Sequence, residues 1–303
     1  MELGMIGLGK MGGFMVERLV RGGHRVIGLD RDPAAVARVV EKGAAGADSI
    51  EKLIGQLKAP RAVWIMVPSG KPVDDTIEQL LPHLAPGDTI IDGGNSYYRD
   101  SVRRGAALAP KKINFVDCGT SGGVWGLTEG YSMMVGGEAD AVKRLAPIFQ
   151  TLAPGPEKGW GRVGPTGAGH YVKMVHNGIE YAIMQAYAEG LDLFRHKTEF
   201  GLDLLQITKI WQYGSVVRSW LLDLTVDALS KNPTLDGIEA YVTDSGEGRW
   251  TAMEGIEHGV PLPALTGALD ARFRSQDPQP FANKLLAMMR HEFGGHAVKT
   301  ATK

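Results

Sequence analysis

The feature that most constrains the fold stands at the start of the chain, where a short apolar segment from Leu3 to Ile6 runs directly into Gly7-Leu8-Gly9-Lys10-Met11-Gly12. Glycine spacing of this kind arises by chance in a chain with 41 glycines among 303 residues. Its context makes it informative, because it follows a predicted strand and opens a helical pattern that reaches Arg21. A strand, a glycine-rich turn and a helix in this order begin a dinucleotide-binding unit.

Strands and helices continue to alternate through the first half of the chain. A strand from Arg25 to Leu29 precedes a helix that starts near Pro33, since proline is favoured in the first helical turn. Further strands are predicted at 62–67, 89–92, 114–118 and 132–135. Alternation of this kind requires right-handed crossovers and predicts a largely parallel, doubly wound Rossmann-type sheet.

The pattern changes near Gly164-Pro165-Thr166-Gly167, after which most segments have helical spacing. The predicted helices lie at 168–194, 202–213, 216–229, 250–258, 262–273 and 280–293. The sequence therefore predicts an α/β chain with a Rossmann-type domain at 1–165, followed by an all-α domain at 166–303.

Charge and cysteine content restrict the partners and the compartment. The 33 basic and 34 acidic side chains leave a formal charge of −1, which gives no long-range attraction to nucleic acid or to a membrane surface. No apolar run reaches the roughly 18 residues of a spanning helix, and no basic leader precedes the first strand. A single cysteine, Cys118, fits a reducing compartment, so we expect a cytoplasmic protein. The eight histidines are scattered, and no metal site is predicted.

Residues at the carboxyl ends of the first strands are predicted to bind NAD. Gly7 allows the tight turn, Gly9 lets the pyrophosphate approach the backbone, and Gly12 lets the helix pack on the strand. Free N–H groups at the helix start favour an anion there. The predicted cofactor site comprises Gly7, Leu8, Gly9, Lys10, Met11, Gly12, Asp30, Arg31, Met66, Val67 and Asn95.

Asp30 predicts a preference for NAD over NADP. It ends the second strand eighteen residues after Gly12, where a carboxylate accepts hydrogen bonds from the adenosine ribose. It also repels a 2′-phosphate, since like unit charges about 4 Å apart cost roughly 1 to 4 kcal/mol. Arg31 complicates this, because an arginine beside that position is able to bind a phosphate. NADP is therefore disfavoured but not excluded.

Two glycine-flanked polar segments, at 92–96 and 118–123, follow strands of the first domain. Ligands of open α/β sheets bind outside the carboxyl ends of the strands, although ordinary turns have the same composition. A third such segment, Asp244 to Thr251, precedes a predicted helix and by itself resembles a helix cap.

The helix that follows Gly169 carries a polar stripe. Lys173, His176, Asn177 and Glu180 lie within one arc of roughly 100°, with apolar residues such as Val172, Ile179 and Ile183 on the opposite side. Half-buried polar groups of this kind need partners, and a polar substrate supplies them. A solvent-exposed helix face is the alternative that spacing alone leaves open.

Together these segments resemble 6-phosphogluconate dehydrogenase (decarboxylating) in its short bacterial form, over nearly the whole chain. The resemblance rests on the first glycine turn, on Asp92-Gly93-Gly94-Asn95-Ser96, on Ser121-Gly122-Gly123, on Lys173 to Tyr181 and on Asp244 to Thr251. The block from Lys173 to Tyr181 is the most specific. The first motif is shared with the wider β-hydroxyacid dehydrogenase group.

The resemblance implies a role for each matching residue. Lys173 is similar to the family's general base and Glu180 to its general acid. The residues that resemble the sugar-acid contacts are Asn95, Ser121, Gly122, Gly123, His176 and Asn177, and those that resemble the phosphate contacts are Tyr181 and Arg272. Arg290 and His296 resemble a C-terminal segment that reaches a neighbouring subunit's site, which implies a homo-oligomer, either a dimer or a tetramer.

The implied reaction converts 6-phospho-D-gluconate to D-ribulose 5-phosphate and CO₂ with NAD, a step of the pentose phosphate pathway and gluconate utilisation. Two departures from the longer family members matter: an extended helical region is largely absent, and a phosphate-binding lysine is missing where Ser245 runs into Gly246-Glu247-Gly248.

The proposed base, Lys173, must be neutral near pH 7, whereas a free lysine has a pKa of about 10.4. Burial lowers the pKa of a lysine, so Lys173 should be buried.

Two alternatives stay open at this stage. A β-hydroxyacid dehydrogenase acting on a small non-phosphorylated 3-hydroxy acid shares the fold but leaves His176, Glu180 and Tyr181 unexplained. A non-catalytic NAD-binding redox sensor leaves the pair of Lys173 and Glu180 unexplained.

Overall fold

The computed structural model describes residues 1–300, which contain eight strands and thirteen α-helices. The strands are β1 (Glu2–Ile6), β2 (Arg25–Leu29), β3 (Ala45–Gly46), β4 (Ala62–Ile65), β5 (Thr89–Asp92), β6 (Asn114–Ser121), β7 (Ser132–Gly136) and β8 (Trp160–Gly164). The helices are α1 (Lys10–Arg21), α2 (Pro33–Glu41), α3 (Ile50–Gly55), α4 (Lys71–Leu80), α5 (Tyr98–Leu108), α6 (Gly126–Glu129), α7 (Ala139–Leu152), α8 (Ala168–His196), α9 (Leu204–Trp211), α10 (Trp220–Lys231), α11 (Glu247–His258), α12 (Pro263–Gln276) and α13 (Phe281–Gly294). The chain divides into two compact units, Met1–His176 and a second that begins at Asn177.

The first unit is built on one sheet with the strand order β3-β2-β1-β4-β5-β6-β7-β8. Every neighbouring pair is parallel except β6 and β7, which run antiparallel. The strand order reverses between β1 and β4, and the carboxyl ends of α/β strands form a ligand crevice at such a switch point.

Apolar side chains cover both faces of this sheet, which explains why β4 is buried at all four positions. One buried cluster contains Trp64 and Phe149, whose ring centroids lie 5.9 Å apart. The other contains Leu53, Ile65 and Ile90. Each fully buried large apolar side chain contributes about 1.5–3 kcal/mol relative to exposure, so these clusters fix the sheet that supports the loops.

Local signals in the sequence set several helix starts. The Asp32 carboxylate accepts a hydrogen bond from Ala34 N at 2.9 Å, directly before the helix that begins at Pro33. Ser219 accepts one from Leu222 N at 3.1 Å at the start of α10. Caps of this kind stabilise a helix by about 1 kcal/mol each.

The second unit is helical. Its helix α10 buries Leu222, Val226 and Leu229, whereas α13 has no buried residue within the described chain. No helix among residues 1–300 combines the length and apolarity needed to cross a membrane.

The predicted fold class, a Rossmann-type α/β unit followed by helices, is confirmed. Two strands, β3 and β8, were not predicted, and β6 extends beyond Cys118 because Ser121 pairs with Ser132 of β7. The helix predicted at 216–229 was placed too early, since Ser219 caps it and it begins at Trp220. The predicted domain boundary after residue 165 lies just before α8, while the two units divide within α8.

Candidate active site

A cleft of about 970 Å³ opens in the first unit, at the carboxyl ends of β1, β2 and β4. Six of the predicted cofactor residues line it: Gly7, Gly9, Asp30, Arg31, Met66 and Val67. The other five are not part of the lining. Leu8 and Gly12 are buried, Met11 packs against the apolar core, Lys10 is exposed, and Asn95 lies on the loop after β5.

The glycine turn is shaped for a close backbone approach. Gly7 has a φ of +96°, and a Cβ there would collide with the carbonyl oxygen of Met66. A Cβ on Gly12 would collide with the carbonyl oxygen of Gly7, so both positions need glycine. Apart from Gly9 itself and its two chain neighbours, no atom of the described residues lies within 4 Å of a Cβ built on Gly9, which leaves open space for a pyrophosphate.

Asp30 is fixed at the rim of this cleft. One carboxylate oxygen accepts a hydrogen bond from Leu8 N at 2.6 Å and the other accepts from Asp32 N at 2.8 Å. Each oxygen retains a lone pair for a ribose hydroxyl. The glycine turn, the open space at Gly9 and this carboxylate therefore fit the adenosine and pyrophosphate parts of NAD.

The loop after β5 presents Asn95. The Asp92 carboxylate is fully buried and accepts hydrogen bonds from Gly94 N at 3.2 Å and from the Ser96 hydroxyl at 2.7 Å. These two bonds hold the residues on either side of Asn95, whose own side chain is exposed. The loop is thus hydrogen-bonded to β5 on both sides of this polar amide.

The segment after β6 contains Ser121, Gly122 and Gly123. Both glycines have positive φ values, +129° and +51°, and Gly123 is exposed. The nearby Cys118 thiol is fully buried, and desolvation raises its pKa to about 12. This cysteine is therefore not a nucleophile at neutral pH.

The start of α8 is anchored to β6. The buried Asp117 carboxylate accepts hydrogen bonds from Gly167 N at 2.6 Å and from His170 N at 2.8 Å. A negative charge is favourable at a helix N-terminus, so Asp117 fixes the entry of α8. A Cβ on Gly119 would collide with the Cβ of Lys173, which brings Lys173 directly against β6.

The polar stripe of α8 is its buried side in the first two turns. Lys173 is 6% exposed and Asn177 is 7% exposed, and Lys173 Nζ lies 3.5 Å from His176 Nδ1. Val172 and Ile179, on the apolar side, are 38% and 49% exposed. The alternative of a solvent-exposed polar face is therefore wrong for Lys173 and Asn177. Because α8 is continuous, Glu180 lies seven positions after Lys173, about 10 Å along the axis.

In the second unit, Tyr181 and Arg272 are in contact. The Arg272 guanidinium carbon lies 3.6 Å from the centroid of the Tyr181 ring, and Nη1 donates to Thr243 O at 2.6 Å. The Tyr181 hydroxyl accepts from Ser245 N at 3.2 Å and is hydrogen-bonded to the Ser245 hydroxyl at 3.2 Å. Two predicted phosphate contacts are thus brought together.

The sequence missed the burial of Glu247 beside this pair. Glu247 is 2% exposed; one carboxylate oxygen accepts from the Ser245 hydroxyl, and the other has no hydrogen-bond partner among the described residues. A carboxylate between two glycines has the pattern of an exposed turn, so no sequence signal indicated this.

The C-terminal residues Arg290 and His296 are exposed, the first on α13 and the second just after it. The His296 ring contacts Phe293, with centroids 6.1 Å apart. Among residues 1–300, no group of three or more His, Cys, Asp or Glu is arranged to hold a metal ion.

Family comparisons agree with this arrangement in both units. Residues 2–163 match the NAD binding domain of 6-phosphogluconate dehydrogenase, and residues 169–301 match the 6-phosphogluconate dehydrogenase C-terminal domain. The chain belongs to the 6-phosphogluconate dehydrogenase family. A relative from Haloferax volcanii, an NAD(+)-dependent, decarboxylating 6-phosphogluconate dehydrogenase, is 43% identical over 299 residues, which cover 98% of each chain.

Two solved dehydrogenase structures share the fold. The 6-phosphogluconate dehydrogenase of Plasmodium falciparum, studied with NADP+ and with 6-phosphogluconate, matches 100% of this chain and 67% of its own at 30% identity, with a TM-score of 0.84. The 3-hydroxyisobutyrate dehydrogenase of Mycobacterium tuberculosis matches 91% of this chain and 94% of its own at 22% identity, with a TM-score of 0.72, a likeness of fold alone.

These matches confirm the predicted family. They also confirm the predicted enzyme class, a decarboxylating 6-phosphogluconate dehydrogenase, and NAD as its cofactor.

Proposed function

We propose that this chain oxidises and decarboxylates 6-phospho-D-gluconate to D-ribulose 5-phosphate and CO₂, using Lys173 as base and Glu180 as acid. The supporting observation is Lys173 itself, which is 6% exposed at the anchored start of α8, in the unit that contains the dinucleotide cleft. Burial of an amine disfavours its charged form, and the neutral form is the one that a base requires.

The proposed residues divide the work between proton transfer and orientation. NAD, when bound, accepts the hydride from C3 of the substrate. Neutral Lys173 removes the proton from the C3 hydroxyl, and its ammonium form then donates a hydrogen bond to the oxygen of the 3-keto acid. That bond stabilises the enolate oxygen that forms as CO₂ leaves. Glu180 protonates the carbon that becomes C1 of the product.

The remaining polar residues are proposed to orient the substrate. Asn95, Ser121, Gly122, Gly123, His176 and Asn177 would hold the sugar acid, and Tyr181 and Arg272 would bind its phosphate. Arg272 supports this role because its guanidinium carbon lies 3.6 Å from the centre of the Tyr181 ring and, among the described residues, only its Nη1 has a hydrogen-bond partner. We assign NAD binding to residues 1–165, and substrate binding and assembly to residues 166–303, of which 301–303 lie outside the described residues.

Lys173→Met tests the proposal, because methionine has a similar length and no amine. We expect kcat for NADH formation from 6-phosphogluconate to fall by about 10²–10⁴-fold, while the dissociation constant for NADH stays near the wild-type value. Lys143→Met, a change at an exposed lysine of α7, is the matched control.

Near wild-type kcat in Lys173→Met would contradict the assignment of the base. CO₂ release is measured beside NADH formation, and 3-hydroxyisobutyrate is assayed in parallel. Turnover of 3-hydroxyisobutyrate alone would support the small-acid alternative. NADH binding without turnover of either acid would support the redox sensor.

We further propose a homo-oligomer, a dimer or tetramer, in which α13 packs on a neighbouring copy. Six large apolar side chains of this helix are exposed: Phe281, Leu285, Leu286, Met288, Met289 and Phe293. Such a surface is typical of an interaction site, and covering it would carry Arg290 and His296 to the neighbouring subunit. Light scattering should give a multiple of the chain mass; a monomer would contradict the proposal.

A cytoplasmic location remains our prediction, supported by the single free cysteine.

A further inference from the structure

Arg104 of α5 joins three separate segments of the first unit. Its side chain is only 2% exposed. Nε donates to Asp74 Oδ1 of α4 at 2.8 Å, Nη2 donates to the carbonyl oxygen of Gly70 at 3.0 Å, and Nη1 donates to Asp92 Oδ2 at 3.2 Å. Each of the three guanidinium nitrogens thus donates one hydrogen bond in a fixed planar geometry, which a lysine cannot reproduce.

One of these contacts leads to the loop that presents Asn95. Asp92 is fully buried, and Arg104 is its charged partner. The same carboxylate accepts from Gly94 N and from the Ser96 hydroxyl, on either side of Asn95. A buried carboxylate that loses its partner is strongly unfavourable, so this loop depends on Arg104 for its arrangement.

A second contact leads to the loop that lines the cofactor cleft. Met66 and Val67 line the cleft, and Arg104 holds the carbonyl of Gly70 a few residues later. A Cβ on Gly94 would lie 3.0 Å from the carbonyl oxygen of Val67, so the two loops are in direct contact. Arg104 is bonded to both sides of this contact.

We propose that Arg104 is a positioning residue that locks the cofactor-side loop, 66–70, and the substrate-side loop, 93–96, into one arrangement. This inference rests on the proposed function, in which Asn95, also a predicted cofactor contact, holds the sugar acid. Arg104 is buried and is not part of the lining of the cofactor cleft. Its loss leaves the direct contacts of each ligand in place but lets the two loops move independently. Misplacement of reacting groups by about 1 Å costs as much as 10²-fold in rate, so the effect falls on kcat.

The test is Arg104→Lys, which keeps the charge and removes the three-way fork. We expect kcat with 6-phosphogluconate to fall at least about tenfold and the dissociation constant for NADH to rise. Arg103→Lys is the matched control, because the neighbouring Arg103 is 57% exposed and, within residues 1–300, bonds only to Asp74 and Asp100.

A second control separates positioning from stability. Leu145→Ala removes a fully buried side chain from α7 and should lower the melting temperature by at least as much as Arg104→Lys. We expect it to retain wild-type kcat at the assay temperature. If Arg104→Lys does not fold, Asp74→Asn, at a partly exposed partner, should give a smaller loss of kcat in the same direction.

Wild-type kcat and NADH affinity in Arg104→Lys would overturn the inference, as would wild-type kcat in Asp74→Asn when the first variant fails to fold. A loss of kcat in Leu145→Ala that matches its loss of stability would overturn it too. If the wild-type protein does not turn over 6-phosphogluconate, the proposed function fails instead. The NADH affinity of Arg104→Lys then still tests whether Arg104 holds the two loops in one arrangement.

Discussion

We predict that the preference for NAD over NADP depends on one carboxylate, and the surroundings of that carboxylate allow the size of the effect to be worked out. Asp30 lines the cleft and is held by Leu8 N at 2.6 Å and Asp32 N at 2.8 Å, so it cannot turn away from a 2′-phosphate. Like unit charges about 4 Å apart repel by roughly 1 kcal/mol in water and 4 kcal/mol near a protein surface. Because Asp30 is only half-buried, we expect the lower half of that range, about 1–2 kcal/mol.

Asp30→Asn removes the charge and keeps an oxygen that accepts from Leu8 N. We expect kcat/KM for NADP to rise by about 5–30-fold, the factor that corresponds to about 1–2 kcal/mol. The value for NAD should fall slightly, since a neutral amide oxygen is a weaker acceptor for the ribose hydroxyls. The measurement is steady-state formation of reduced nicotinamide from 6-phosphogluconate, at low salt, with each cofactor in turn.

Asp32→Asn is the matched control, two residues further along the chain. It removes the same charge from an exposed carboxylate that caps α2 through Ala34 N. Its effect on NADP should be much smaller. An unchanged kcat/KM for NADP in Asp30→Asn, or an equal gain in both variants, would refute the reasoning.

Two further predictions concern buried groups. Burial raises the pKa of the Cys118 thiol to about 12, above its unfolded value of roughly 8.5. The contribution of the neutral thiol to the free energy of unfolding is therefore complete below about pH 8.5 and is lost as the pH rises toward 12. Iodoacetamide should accordingly label Cys118 at pH 8 only after unfolding, and rapid labelling of the native protein would show the prediction to be wrong. Glu247→Gln removes a buried negative charge beside the Tyr181 and Ser245 hydroxyls, so KM for 6-phosphogluconate should fall severalfold while kcat stays constant. A raised KM, with Glu239→Gln as the exposed control, would instead mean that Glu247 accepts a hydrogen bond from the substrate.

The sequence was sufficient for the Rossmann-type sheet because its strands are continuous apolar runs between clear turn signals. It was insufficient for β3, which has two residues, and for β8, which contains two glycines in five residues. Both strands exist because a neighbouring strand pairs with them, and pairing across the sheet leaves no local pattern.

The same limit applies to the site. The spacing of α8 placed Lys173 and Asn177 on one face, but tertiary packing decided that this polar face is the buried one. Arg103 and Arg104 are adjacent and chemically identical in the sequence, yet their side chains are 57% and 2% exposed. Which of two neighbouring arginines becomes buried depends on hydrogen-bond partners 12, 30 and 34 positions away in the chain, and no local periodicity indicates them.

The unbroken course of α8 from Ala168 to His196 has a consequence for how this enzyme can diverge. The distance between Lys173 and Glu180 is set by helical pitch and not by a loop, so substitutions around them leave it unchanged. A single inserted residue between them would rotate Glu180 by about 100° onto another face. The segment between the two groups should therefore accept changes of composition over evolutionary time and reject every change of length.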